Sequence, residues 1–378
     1  MHVVLFCHSL VSDWNHGNAH FLRGVVRELK RRGHTTDVYE PRDGWSRTHL
    51  MRELGRDPEA LFRACFPDLS STQYGADGPD LDAALDGADL VLVHEWTDPA
   101  LIARIGRHRV AGGRYRLLFH DTHHRAVSDR ENIAVLDLDG YDGVLAFGES
   151  IREIYLGQGW ARRVWTWHEA ADTALFHPVP WQERHRDLVW IGNWGDDERS
   201  AELDAFLLRP IRTLRLDATI HGVRYPETAR TALEQAGAEY GGYLPNHHVP
   251  FTFAQHKVTV HVPRRQYVQA LPGIPTIRVF EALACGIPLV SSPWSDTEGL
   301  FGRDDFLVAR DGDEMTGHIR ALLADDQMRA TLAANGLARI RARHTCAHRV
   351  DELLAICGGL DDHAAVAAIE QPTLAEAP

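Results

Sequence analysis

The chain of 378 residues is almost devoid of lysine: of its 40 basic residues only Lys30 and Lys257 are lysines. Positive charge is short overall, and 53 acidic residues bring the formal net charge to −13. That balance excludes a general nucleic-acid binder, yet leaves room for local arginine sites that take phosphate. Cysteine is scarce. Cys7, Cys65, Cys285, Cys346 and Cys357 form no CxxC pair, and an odd count without framework spacing excludes a disulfide scaffold. Reduced thiols of this kind point to the cytoplasm. No apolar run approaches the ~18 residues that a membrane-spanning helix needs. The apolar start, residues 1–7, lacks a basic lead and a small-residue cleavage site, so it reads as a first strand and not as a signal peptide. No short internal repeat is present.

What remains is ordinary globular material, 44% hydrophobic and 25% charged, of a length that suits two domains. Short apolar runs alternate with helical spacings, the pattern of parallel α/β layers. In the first half the predicted strands are 2–7, 35–39, 90–94, 116–120, 143–147 and 164–167, with helices over 18–32, 99–107 and 150–156. The helix over 18–32 places Phe21, Leu22, Val25, Val26 and Leu29 on one face and ends at Gly33. The stretch 43–80 is less regular and predicts turns around short helices, an insertion near the cleft. The rhythm breaks at His177-Pro178-Val179-Pro180. A second series follows, with strands at 188–191, 219–221, 258–262, 288–291 and 306–308 and helices over 198–208, 227–235, 276–285, 312–324 and 326–344. Two α/β halves joined by a proline-marked linker place the expected site in the cleft between them. Residues 361–378 lack periodicity and read as a disordered tail.

The most informative segment runs from Gly273-Ile274-Pro275-Thr276-Ile277-Arg278 through Glu281-Ala282-Leu283-Ala284-Cys285-Gly286. A Gly/Pro loop feeds a helix, whose free N–H groups attract phosphate, while Gly273 permits close approach. Thr276 is placed to cap the helix or to touch the phosphate. Glu281, little more than a turn later, can accept two hydroxyl protons such as a ribose supplies. A core helix with a solvent-facing glutamate fits the same residues equally well.

Other loops carry polar groups at strand ends. Asp13, Asn15, His16 and Gly17 lie after the first strand, before a helix. This loop is not a GxGxxG fingerprint, which weakens a dinucleotide-cofactor reading. His94 and Trp96 follow another strand, and Trp96 can stack on a sugar ring. His120-Asp121-Thr122-His123-His124 follows a third. Three histidines and an aspartate raise the question of a metal, but no spaced ligand frame accompanies them, so none is expected. In the second half Asn193 and Arg199 flank a strand-to-helix turn, where Asp196 and Asp197 would repel phosphate. Tyr243 and Leu244 precede a helix, and Arg264 follows a strand end, where basic residues suit anionic ligands.

The run Arg278-Val279-Phe280-Glu281-Ala282-Leu283-Ala284-Cys285-Gly286 resembles the donor-binding helix of group 1 glycosyltransferases of the GT-B type, and most closely that of the spore-maturation CgeB-like branch. Asp172-Thr173-Ala174-Leu175-Phe176-His177-Pro178 is similar to their hinge passage. Gly192-Asn193-Trp194 with Arg199, and His344-Thr345-Cys346-Ala347-His348-Arg349-Val350, are similar to further passages of that branch. The resemblance implies two Rossmann-like domains facing across a cleft: 1–176 on the acceptor side and 177–345 on the donor side. It also implies a helix over 346–360 that crosses back to the first domain. It implies that Glu281 holds the ribose of a nucleoside diphosphate sugar, and that the Gly273–Ile277 backbone faces the diphosphate and sugar. Arg278, Arg199, Asn193 and Arg264 are then donor-binding, and Tyr243 and Leu244 border the base. His120 and Asp121 become catalytic-cleft residues; should the configuration invert, Asp13, His120 or Asp121 is the expected base; and Asn15, His16, Gly17, His94 and Trp96 fall on the acceptor side. Many group 1 enzymes carry a second glutamate eight residues before the first; here Gly273 occupies that place.

The implied activity is metal-independent transfer of a sugar, with retention, to a sugar, glycan or other hydroxyl acceptor. No cofactor beyond the donor is called for, and neither lysine has a setting for pyridoxal phosphate. A sugar-nucleotide epimerase or hydrolase of the same fold, and a non-catalytic sugar-nucleotide binder, are the alternatives.

Overall fold

A computed structural model describes residues 1–180, 184–195 and 198–369, for 361–369 the backbone alone. Seven strands form the first sheet: β1 (His2–Phe6), β2 (Thr35–Pro41), β3 (Thr72–Tyr74), β4 (Leu90–His94), β5 (Arg116–Asp121), β6 (Gly143–Ala146) and β7 (Val164–Thr166). Six form the second: β8 (Arg186–Ile191), β9 (Ala218–His221), β10 (Glu239–Gly242), β11 (His256–His261), β12 (Leu289–Ser291) and β13 (Leu307–Val308). The orders are β3-β2-β1-β4-β5-β6-β7 and β10-β9-β8-β11-β12-β13. Every pairing is parallel. Each order reverses once, between β1 and β4 and between β8 and β11, which opens a crevice beyond the strands' carboxyl ends.

Central strands such as Leu90-Val91-Leu92-Val93 are covered on both faces, so they read as continuous apolar runs without alternation. The helix Ala19–Arg31 buries Phe21, Leu22, Val25, Val26 and Leu29 as its spacing predicts. At Gly24 it runs so close to the chain at Asp172 that an added Cβ would lie 2.7 Å from the Asp172 Cβ and 2.5 Å from Cys346 Sγ.

The stretch 43–80 is more ordered than predicted, with helices Trp45–Leu54 and Glu59–Cys65 and the edge strand β3. β3 (Thr-Gln-Tyr) and β10 (Glu-Tyr-Gly-Gly) have too little apolar pattern to stand out in the sequence. The helix predicted over 198–208 begins at Ser200, widens over Asp204–Leu208 and continues as Arg209–Leu214. It does so around Pro210, which has no N–H for the preceding turn. Asp196 and Asp197 lie outside the described residues. The last helix, Cys346–Ile369, packs on Ala19–Arg31, and Trp167 Nε1 donates to the Arg349 carbonyl at 2.8 Å. It extends nine residues into the segment expected as a tail; 370–378 lie outside the described residues. Among the described residues no helix is long and apolar enough to cross a membrane.

Candidate active site

The loops after β1, β5, β8 and β11 and the start of the helix Ile277–Ala284 enclose a cavity of about 250 Å³ between the two sheets. The loop after β1 is fixed from beneath. Arg23, 1% exposed, donates from Nε to the Leu10 carbonyl (2.8 Å), from Nη2 to that of Val11 (2.9 Å) and from Nη1 to Asp13 (3.2 Å). Buried Glu40 accepts from Ser9 Oγ at 2.6 Å and from Leu10 N at 2.8 Å. The loop then presents Asp13, Asn15, His16 and Gly17 to the cavity. Asp13 also reaches across it, accepting from Tyr243 Oη and, at 3.0 Å, from Asn246 N. Asn193 Nδ2 donates to Asn15 Oδ1.

The opposite wall carries Asn193, Arg199, Tyr243, Leu244, Arg264, Thr276, Ile277 and Arg278. Arg199 is buried, and its guanidinium donates to the carbonyls of Trp194 (3.3 Å), Val262 (2.5 Å) and Asn193. Burial, with the charge of Arg264 next, lowers its pKa to about 10, so it stays cationic at neutral pH. Its hydrogen bonds hold the ends of β8 and β11 together. Arg264 is held more loosely, 3.6 Å from Glu198 Oε1. The Thr276 hydroxyl does not cap its helix; it pairs with His261 Nε2 at 3.0 Å, and His261 Nδ1 meets Ser291 Oγ at 2.9 Å. Burial pushes His261 down to about 3 and keeps it neutral. At the start of Ile277–Ala284 the Val279 N–H already donates to the Thr276 carbonyl at 3.1 Å, which leaves the N–H groups of Ile277 and Arg278 ahead of the first helical carbonyl, at the cavity with the Arg278 and Arg264 side chains nearby.

Eight of the predicted site residues do not line this cavity. His120 and Asp121 are still in ladder register, opposite His94 and Ala146, and are buried behind the wall. The His120 ring packs edge-on to Trp167 at 4.8 Å. Asp121 accepts from Tyr155 Oη (2.8 Å) and His123 N (3.1 Å), and burial raises its pKa to about 6. His94 is buried beside His120. Trp96 is 44% exposed outside the cavity, under the Arg125 guanidinium.

Gly273, Ile274 and Pro275 turn away from the cavity. Gly273, at φ +89°, donates its N–H to the Ser295 carbonyl at 2.7 Å, and Ile274 is buried against Gly148 of the first half. Glu281 does not line the cavity either. Its carboxylate is wholly buried, with Oε1 2.9 Å from His20 Nδ1 and Oε2 on Arg278. It faces the helix Ala19–Arg31, so in this conformation it is closed off from a ligand. Glu169 lies in the same cluster; it accepts from Asn18 Nδ2 at 2.5 Å, and burial raises its pKa to about 8.

The structure adds wall residues that were not among the predicted ones: His123, His124, His261, Tyr267, Asn246, Gly192 and Gly222. The two adjacent histidines belong to the motif that contains His120 and Asp121. What separates them is the strand's end at Asp121: earlier residues are locked in the sheet, later ones overhang its edge.

Residues 199–355 match a family model described as glycosyl transferase-like. No curated protein sequence matches the chain significantly. Among solved structures, sucrose-phosphate synthase from Thermosynechococcus elongatus superposes with a TM-score of 0.65 at 14% identity, over 96% of this chain and 100% of that one. Anabaena HepE, solved with UDP and glucose, gives 0.66 at 14% identity, over 95% and 100%. T4 phage BGT, solved with its UDP-glucose substrate, gives 0.59 at 11% identity, over 96% and 100%. The fold is GT-B.

Proposed function

We propose that this chain is a glycosyltransferase that moves a sugar from a nucleoside diphosphate sugar to a hydroxyl acceptor. The observation that carries the reading is the cavity at the reversal points of both sheets, where a helix start and two arginines, Arg264 and Arg278, converge. Such a site suits a diphosphate. The match over 199–355 and the UDP and UDP-glucose bound to fold neighbours support the same donor class.

Departure of the nucleoside diphosphate develops negative charge on its phosphate, and the arginines and main-chain N–H groups offset that charge without a metal. Of the carboxylates expected as bases, Asp13 is engaged by Arg23, Tyr243 and Asn246, and Asp121 lies behind the wall. That arrangement favours retention of configuration, which needs no protein base on the acceptor. Five cysteines without CxxC or framework spacing favour a cytoplasmic enzyme.

A non-catalytic sugar-nucleotide binder is the second reading, favoured by the burial of Glu281 and by Gly273 in the place of an acid. Thermal shift with UDP, ADP, GDP, CDP and TDP tests the donor site. One nucleotide at about 100 times its Kd stabilises the protein by roughly 2.7 kcal/mol, and Arg264→Ala weakens that effect. No shift with any of the five refutes the reading. Release of UDP from UDP-glucose over an acceptor panel separates the enzyme from the binder.

A further inference from the structure

Behind the cavity wall two acids stand side by side in the first sheet. His94 and His120 are opposite each other in the β4–β5 ladder, and Glu95 N donates to the His120 carbonyl at 2.9 Å, so the ladder continues one step further. That step sets Glu95 beside Asp121, on the same face of two parallel strands about 4.8 Å apart. Glu95 is 1% exposed and Asp121 0%. Two carboxylates this close and out of water do not both stay ionised unless a cation compensates them. Arg125 is the nearby cation, but its Nη1 is 3.8 Å from Glu95 Oε2, beyond hydrogen-bond reach, and its Nε donates to Asp129 at 3.1 Å.

The hydrogen bonds assign the proton. Trp96 N donates to His94 Nδ1 at 3.3 Å, so the His94 proton is on Nε2, which donates to Thr122 Oγ1 at 3.0 Å. The Thr122 hydroxyl proton then goes to Glu95 Oε1 at 3.2 Å, and Thr122 N donates to the same oxygen at 2.9 Å. Oε1 is doubly accepting, while Oε2 is buried with no hydrogen-bond partner among the described residues. Asp121 differs: it accepts from His123 N on Oδ1 at 3.1 Å and from Tyr155 Oη on Oδ2 at 2.8 Å. Both oxygens of Asp121 are served as a carboxylate requires, whereas the bare Glu95 Oε2 calls for a proton of its own. Burial first, and the charge of Asp121 next, push the Glu95 carboxyl well above its usual range. The other titratable groups around the pair carry no charge to change this: burial keeps His94, His120 and His123 neutral, and it keeps the phenols of Tyr155 and Tyr267 protonated.

We infer that Glu95 is a neutral acid in the folded chain, its Oε2 proton shared with the Asp121 carboxylate, and that the pair is a pH-sensitive brace for the loop 122–125. Glu95 holds Thr122 and Asp121 holds His123, and His123 and His124 form part of the cavity wall. Loss of the proton sets two buried charges side by side, and the loop comes away from the end of the sheet. The brace goes beyond glycosyl transfer and does not depend on it. A glutamate whose folded pKa is raised contributes stability that is complete below its unfolded pKa and is lost as pH rises towards the folded one. Within that window each pH unit raises the released fraction about ten-fold.

The test uses the full chain. Infrared spectra in D2O at pH 7 read the carbonyl stretch of protonated carboxyl groups. Glu95→Gln should lower that band and leave the share of Glu169, whose pKa of about 8 keeps it largely neutral there; an unchanged band overturns the inference. Hydrogen exchange by mass spectrometry then follows peptides over 121–128 at pH 6, 7 and 8. The ratio of wild-type to Glu95→Gln exchange rates should rise on the order of ten-fold per pH unit, and a flat ratio overturns the brace. Should Glu95→Gln fail to fold, Glu169→Gln labelled with 13C-glutamate decides: a glutamate-derived carboxyl band persists at pH 7, and its absence overturns the inference. UDP affinity at the same pH values should fall more steeply in wild type than in Glu95→Gln; equal slopes overturn the link from brace to cavity. A chain that binds no UDP refutes the proposed function instead, and infrared and exchange then decide the brace alone.

Discussion

Replacing Glu281 by alanine removes a carboxylate that is wholly buried against His20 and Arg278. Both Glu281 and His20 are fully buried at 2.9 Å, and Arg278 closes on the other oxygen. Alanine leaves the His20 ring without its acid inside the contact between the two halves, and the partly exposed Arg278 guanidinium without its partner at the cavity wall. Breaking a buried charged contact from one side costs about 3–5 kcal/mol, a large share of the roughly 5–15 kcal/mol that holds a typical domain folded. Urea unfolding followed by tryptophan fluorescence measures it, and His20→Ala with the double variant completes a cycle. The coupling expected for residues in contact is about 0.5–3 kcal/mol. A cost below about 1 kcal/mol for Glu281→Ala, with additive effects, would refute the reasoning. It would show the carboxylate open to the cleft, as the donor-binding motif alone implies.

Three further outcomes follow from the same packing. Glu169 has its folded pKa raised to about 8, so the unfolded chain releases this proton first as pH rises. Its contribution is therefore lost between the ordinary glutamate range and pH 8; melting temperatures of wild type and Glu169→Gln should agree near pH 5, with the variant ahead at pH 8. A gap that does not widen with pH contradicts this. Gly24→Ala drives a methyl group into Asp172 and Cys346 and should cost about 1–3 kcal/mol by chemical denaturation; an unchanged midpoint would place the helix farther from the hinge passage. Arg264→Ala removes a loosely held cation from the cavity wall and should weaken UDP binding on the order of ten-fold, with a smaller salt dependence of the affinity. Equal affinity and salt response in calorimetry would remove Arg264 from the phosphate site.

The parallel strands and the helix Ala19–Arg31 were legible because apolar runs and 3.6-residue spacing are local properties of the chain. β3 and β10 were not, since edge strands need little apolar pattern and are specified by their neighbours. The site was legible to the level of loops. The loop after β1, the turn at Asn193 and the residues Thr276–Arg278 all reach the cavity, since loops at strand ends in a doubly wound sheet converge there. Which residue within a loop faces the ligand depends on where the ladder stops. His120 and Asp121 are the last rungs, whereas His123 and His124 lie past them. Glu281 shows the other limit: a motif specifies a carboxylate on a helix, but the helix Ala19–Arg31, more than 200 positions earlier in the chain, decides what it faces. Arg199 shows the same, because three carbonyls occupy the guanidinium that a phosphate was expected to take.

A crystal structure of the full chain grown with UDP tests the central claim most directly. The account predicts the diphosphate at the first turn of Ile277–Ala284, within hydrogen-bond reach of Arg264 or Arg278, and the base towards Tyr243 and Leu244. UDP bound anywhere else, or a cavity left empty at saturating UDP, contradicts it.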